Sequence, residues 1–212
     1  MFSNAPLLIF EFIILIFSAV LHEIAHGYEA ERLGDDTARR AGRLTLNPLR
    51  HLDPFGSVLL PLLLFFGTGG AFFFAAAKPV PYDPRNLRNP RTGSAKIAVA
   101  GPGTNFLIAI VFGIAVRVFS LLPVSDLFIQ LLAVVVLVNI VLGIFNLIPI
   151  PPLDGSRILF AILPQTETTF RIMYFLERWG IFLVLLFAFF AFSLLQPIIG
   201  WIFGALTGIS LF

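Results

Sequence analysis

Two histidines stand four residues apart inside an apolar run, in the stretch His22-Glu23-Ile24-Ala25-His26. The run extends from about Ala5 to Leu33 and carries no Lys or Arg before Arg32. As a helix rising 1.5 Å per residue it is long enough to cross a bilayer and project a turn or two beyond it. Side chains four residues apart share one face of a helix, so both imidazoles can reach a single metal ion. The glutamate between them lies close enough to act on a water bound to that ion. This is the arrangement of a zinc hydrolase, written here in a membrane helix. The plainer reading is a pair of polar histidines packed among helices.

Composition agrees with a membrane setting. Hydrophobic residues make up 58% of the chain and charged residues 12%, with 25 Phe and several apolar runs near 20 residues. That usage excludes an ordinary soluble domain and defines an integral membrane protein. The length fits one membrane-embedded domain over residues 1–212. A formal charge of +2 gives no reason to expect nucleic acid as a partner. The lipid bilayer is the expected surroundings. The absence of Cys excludes disulfides, thiolate catalysis and thiolate ligands, so a metal must be held by His and carboxylate. The N-terminus lacks the basic region of a cleavable signal, and the first helix is expected to be retained.

Beyond the first helix, an interfacial stretch from Glu29 to Asp53 carries Arg32, Arg39, Arg40, Arg43 and Arg50. Within it, Gly42 to Asn47 alternates as a short strand would, with Pro48 ending it. The apolar run Phe55 to Ala77 is interrupted by Pro61 and by Gly67-Thr68-Gly69-Gly70. Each half is too short to span, which predicts a re-entrant or β-like segment that dips into the membrane. A basic loop from Lys78 to Lys96 follows. Ile97 to Leu122 and Leu127 to Ile150 read as spans, the second running into the proline-rich Asn146 to Gly155. A short amphipathic piece (Ser156 to Leu163) precedes a long helix ending near Gln196. Residues 198–212 are apolar but short, and are expected in the interface or as a partial return. The fold class is therefore an all-α polytopic membrane protein with four to six transmembrane helices and a membrane-dipping segment near 55–77.

The placement of charge selects the topology. If Phe55 to Ala77 crossed the membrane, the Arg32 to Arg50 and Lys78 to Lys96 clusters would face opposite sides. If it is re-entrant, every Lys and Arg except Arg117 lies on the side where the first helix ends. The positive-inside bias favours the re-entrant arrangement and makes that side cytoplasmic. The same parity brings Asp154 to the side of the histidines.

A catalytic zinc takes three protein ligands and keeps one position for water. His22 and His26 supply two, and Asp154 is the best third, an acid at a helix break at the right depth. Its plainer role is a turn carboxylate before Gly155. His51 is the rival ligand, on the same side, although a lone loop histidine is more often only interfacial. Asn146 is a candidate for binding substrate backbone or a loop carbonyl. Asn105 is better explained by interhelical hydrogen bonding, and Gly101 and Gly103 by close helix approach. Phe73, in the Phe72 to Ala76 edge, is a candidate for pairing with an extended substrate; a membrane-dipping plug is the equal alternative.

His22-Glu23-Ile24-Ala25-His26 together with Asn146 to Gly155 resembles the site-2 protease family of intramembrane zinc metalloproteases. Gly101 to Asn105 and Gly42 to Asp53 add to the resemblance, which is to the short bacterial branch without a PDZ domain. It implies one Zn2+ held by His22, His26 and Asp154, with Glu23 as the catalytic acid and base. It implies hydrolysis of peptide bonds in or near the transmembrane segment of a membrane-protein substrate, at the cytoplasmic side of the cell membrane. Recruitment by a PDZ-like insertion, or by an extra helix before the motif, is not expected. The contrasting class is a non-proteolytic metal-binding scaffold or transporter, in which Glu23 has no special role.

Overall fold

A computed structural model describes residues 5–53, 59 and 78–211. The predicted re-entrant segment, Phe73 included, falls outside the described residues apart from Leu59. Helix α1 covers Ala5–Arg32, and a single turn, α2, covers Thr37–Arg40. Helices α3 (Pro90–Phe119), α4 (Asp126–Asn146) and α5 (Asp154–Ile162) follow. Helices α6 (Glu167–Leu186) and α7 (Gln196–Thr207) complete the chain. Among the described residues, four stretches are long and apolar enough to cross a membrane: Pro6–Arg32, Pro90–Phe119, Asp126–Asn146 and Glu167–Thr207. The protein is a multi-pass, all-α membrane protein.

Local chemistry explains the helix ends. Asn89, Ser125 and Thr166 each accept a hydrogen bond from a first-turn N–H of α3, α4 and α6. Pro90 opens α3 at a position that needs no N–H. Outward faces stay apolar: Leu107, Ile114, Phe182 and Trp201 are all more than half exposed, as lipid-facing side chains are. The core between α3, α4 and α7 is built from Ala109, Val116, Val136, Ile140, Ile199 and Phe203.

Two expectations give way here. Residues 198–207 of the short apolar stretch belong to helix α7, packed in the core through Ile199 and Phe203 and continuing the long apolar stretch Glu167–Thr207 rather than standing apart from it. The helical path continues from α6 through one widened and one tightened turn (Phe187–Ala191, Phe192–Leu195), and Pro197 falls in the first turn of α7, where it breaks nothing. Arg117 then closes α7, donating to the carbonyls of Leu206 (2.8 Å) and Ala205 (2.7 Å) at its unpaired end. The second concerns residues 42–48, which form bends instead of a strand; no strand occurs among the described residues. Gly42 turns with φ +63°, and the buried Arg43 guanidinium donates to the carbonyls of Lys78 (2.7 Å) and Pro79. Pro48 begins a short 3-10 turn capped by Asn47.

The loop before α3 is pinned to the end of α1 by Asp35, which is fully buried. Its carboxylate accepts from the Thr37 N–H and hydroxyl, from the Asp83 N–H (2.7 Å) and from the Asn86 amide (2.7 Å). Burial pushes this carboxyl up, but the hydrogen bonds from Asn86, Thr37 and Asp83 outweigh it and hold it below its ordinary value. A depressed pKa contributes stability above the unfolded carboxylate range, lost as pH falls through the folded pKa. Asp35→Ala should therefore destabilise the protein by about 2–4 kcal/mol near pH 7, since several donors lose their acceptor. Thermal unfolding in detergent should show that gap, and show it closing below about pH 4.

Candidate metal centre

Ser18, His22 and His26 lie one turn apart on α1, and all three are buried. They face Ile97, Gly101 and Asn105, which share one face of α3 by the same spacing. The His26 Nδ1 lies 2.6 Å from the Ile97 carbonyl oxygen, and the His22 Nδ1 lies 2.6 Å from Asn105 Oδ1. A carbonyl oxygen only accepts, so His26 Nδ1 carries a proton, and in the neutral ring Nε2 is left with the lone pair. The two rings meet edge to face with centroids 4.6 Å apart, and their Nε2 atoms are 3.0 Å apart. Gly101 makes the approach possible. A Cβ there would lie 2.5 Å from His26 Cε1 and Nε2 and 2.6 Å from His22 Cε1.

The third donor arrives on α5. Helix α4 ends at Asn146, and the proline-rich turn that follows brings the chain back so that Asp154 is the first residue of α5. The return is tight. A Cβ on Gly155 would sit 2.1 Å from the Leu147 carbonyl oxygen, and one on Gly180 of α6 would sit 2.1 Å from that of Pro151. Asp154 Oδ2 lies 3.1 Å from His22 Nε2 and 3.2 Å from His26 Nε2.

The three atoms form a nearly equilateral triangle with sides of 3.0, 3.1 and 3.2 Å. Tetrahedral ligands about 2.0–2.1 Å from zinc stand roughly 3.3 Å apart, so the donor set fits that ion. Its chemistry fits as well. With the Nδ1 atoms protonated and the rings neutral, two nitrogen lone pairs converge on the carboxylate oxygen, an arrangement that a cation would complete. Glu23 stands at the same place. Its ligand atom and those of His22 and His26 lie within 4.8 Å of one another, and its Oε2 accepts from the Val80 N–H at 2.8 Å.

The structure thus brings His22, Glu23, His26 and Asp154 together. Asn146 ends α4 and donates from Nδ2 to its own helix at the Leu142 carbonyl (3.0 Å). His51 is buried in the loop, donating from Nε2 to the Thr45 carbonyl (2.9 Å), while its own carbonyl accepts from Lys78. Asn105 does bond between helices, to Asn139 of α4, but its oxygen faces His22. Gly103 has no described residue within 4 Å of a Cβ position, so of these two glycines it is Gly101 that makes the close approach. Ser18 and Asn139 are absent from the sequence-based candidates. The available signals were Ser18 one turn before His22, and Asn139 as the lone polar side chain between Gln130 and Asn146.

Gly101→Ala should push both imidazoles off their positions, because the contacts it meets are ring atoms held at Nδ1. Zinc affinity, measured by chelator competition on the purified protein, should fall tenfold or more while the helical content stays unchanged.

Residues 120–187, which include Asp154, match the family model of peptidase family M50. YwhC of Bacillus subtilis is 40% identical over 158 residues, covering 72% of this chain and 68% of that protein. Rip2 of Mycobacterium tuberculosis H37Rv is 30% identical over 201 residues, covering 91% of this chain and 72% of that protein. Both are named "putative zinc metalloprotease". The zinc metalloprotease MJ0392 of Methanocaldococcus jannaschii is 31% identical over 73% of this chain, which spans 34% of that protein's length. No solved structure gives a significant match. The chain belongs to peptidase family M50, the site-2 protease family of intramembrane zinc metalloproteases.

Proposed function

We propose that this protease is a zinc endopeptidase that cleaves peptide bonds in or near the transmembrane segments of membrane proteins, at the cytoplasmic side of the bilayer. The observation that carries the reading is the buried triangle formed by His22 Nε2, His26 Nε2 and Asp154 Oδ2, with Glu23 beside it. His22, His26 and Asp154 would hold the one zinc ion. When bound, zinc polarises the scissile carbonyl and lowers the pKa of water.

Glu23 moves the proton. Its Oε2 accepts from the Val80 N–H, which leaves Oε1 as the atom to take a proton from the attacking water. The same oxygen returns that proton to the leaving amine. As a carboxylate, Asp154 would compensate the cation's charge in this buried site. A helical substrate hides its carbonyls in its own hydrogen bonds and must unwind before attack. Asn146, whose Nδ2 is bonded to the Leu142 carbonyl at the end of α4, would take up a freed backbone N–H through Oδ1. The cytoplasmic assignment rests on the basic residues at Arg32 to Arg50 and Lys78 to Lys96, with Arg117 alone at the other end of α3.

The purified protein should carry stoichiometric zinc and cut a membrane-anchored substrate. Glu23→Gln should keep the zinc and lose at least a hundredfold in cleavage rate, since Gln retains the bond to Val80 but cannot take the proton. Asp154→Ala should lose most of the zinc. Full activity in either variant would sink the assignment. Zinc uptake into liposomes without any cleavage would favour a transporter instead.

A further inference from the structure

We propose that Asn105 and Asn139 are positioning residues of this centre: a polarised hydrogen-bond chain from α4 through α3 that holds His22 with its proton on Nδ1 and its Nε2 lone pair on the metal position. The inference rests on His22 being a metal ligand and goes beyond it, because it assigns a role to side chains that touch neither metal nor substrate.

The direction of the chain follows from its far end. Asn139 lies between the Val135 carbonyl, 2.9 Å away in its own helix, and Ser18 Oγ at 3.0 Å. A backbone carbonyl can only accept, so the nitrogen of the Asn139 amide must face it. Both Nδ2 hydrogens are then used, on Val135 and Ser18, and Oδ1 points to α3. That oxygen can only accept, so the Asn105 nitrogen must face it, at 2.9 Å. The Asn105 oxygen is left toward His22 Nδ1, at 2.6 Å. Reversing either amide would set oxygen against oxygen at under 3 Å. No solvent competes, since Asn105 and Asn139 are fully buried and Ser18 and His22 nearly so. The orientation of two amides, usually ambiguous, is fixed here by one carbonyl.

The consequence is a tautomer. His26 obtains its own from the Ile97 carbonyl, a backbone acceptor that no substitution removes. His22 depends on side chains. Ligating histidines commonly donate their second N–H to a carboxylate. In this apolar bundle an amide provides the acceptor without adding a second buried charge beside Asp154. Asn105 alone could flip; Asn139 prevents it.

The test is zinc affinity by chelator competition on the full-length protein in detergent, with unfolding of the metal-free form as a control for folding. Asn105→Leu should weaken zinc binding ten- to a hundredfold, and Asn139→Leu roughly three- to tenfold. The double Leu variant should lose no more than Asn105→Leu alone, because Asn139 acts only through Asn105. Asn105→Asp, whose carboxyl in its neutral form can donate to Asn139 Oδ1 and still accept from His22 Nδ1, should stay within about threefold of wild type. If Asn105→Leu does not fold, Asn139→Leu against Asn105→Asp decides the matter by the same values. Wild-type affinity in a folded Asn105→Leu or, where that does not fold, in Asn139→Leu, or losses that multiply in the double variant, would overturn the proposal and leave only helix packing. Zinc binding that survives His22→Ala would instead overturn the metal-site reading itself, and this proposal with it.

Discussion

An imidazole N–H buried in an apolar bundle has to find an acceptor, and at this centre that requirement orders everything else. His22 and His26 each carry two ring nitrogens, and only a committed Nδ1 leaves Nε2 with a defined direction. The Ile97 carbonyl and Asn105 provide that commitment from one face of α3. They reach the rings because Gly101, between them, presents no side chain to α1. The α1–α3 contact is therefore both a close packing of the two helices and the device that aims the donors. Neither function could be relaxed separately, since a shift that eased the packing would lengthen both Nδ1 bonds.

Asp154 meets the histidines from the opposite direction in the chain, and its position is defined by backbone rather than by side-chain fit. The turn between α4 and α5 is gripped twice, with Gly155 against the Leu147 carbonyl and Gly180 against that of Pro151. Contacts of this kind have no flexible end to yield. A carboxylate carried on such a turn keeps its place even though it is joined to α1 only through the centre itself. The prolines remove N–H donors that the turn could not have paired, which is how irregular backbone is accommodated beside lipid.

What could be read from the sequence was whatever depends on periodicity or on charge counted across the membrane. The i, i+4 spacing placed His22 and His26 on one face, and the distribution of Lys and Arg put Asp154 on their side. Residues 42–48 misled because alternation reports only which side chains face inward. Here the inward group is Arg43, whose guanidinium takes loop carbonyls where a strand would have needed a neighbouring strand. The last apolar stretch was too short to span only when separated from α6 at Pro197, a position a helix tolerates in its first turn. Asn139 was illegible for a different reason: a single amide in an apolar helix acquires meaning only from what packs on it. Its partners lie 34 and 121 positions away.

The two halves of the proposed chemistry are consequently held from two different media. The metal donors are aimed within the bundle, by a carbonyl, two amides and a serine that meet no water. Glu23 is aimed through Val80, in a loop whose anchors lie at the polar end of the bundle. Asp35 holds Asp83 and Asn86, Arg43 holds Lys78 and Pro79, and the His51 carbonyl holds the Lys78 N–H. Buried bonds of the first kind are costly to break and give a rigid donor set. Loop bonds near water open more cheaply, so the glutamate is the adjustable member of the pair. His51, a rival ligand on sequence grounds, acts in this second group, by closing the loop that carries the contact to Glu23.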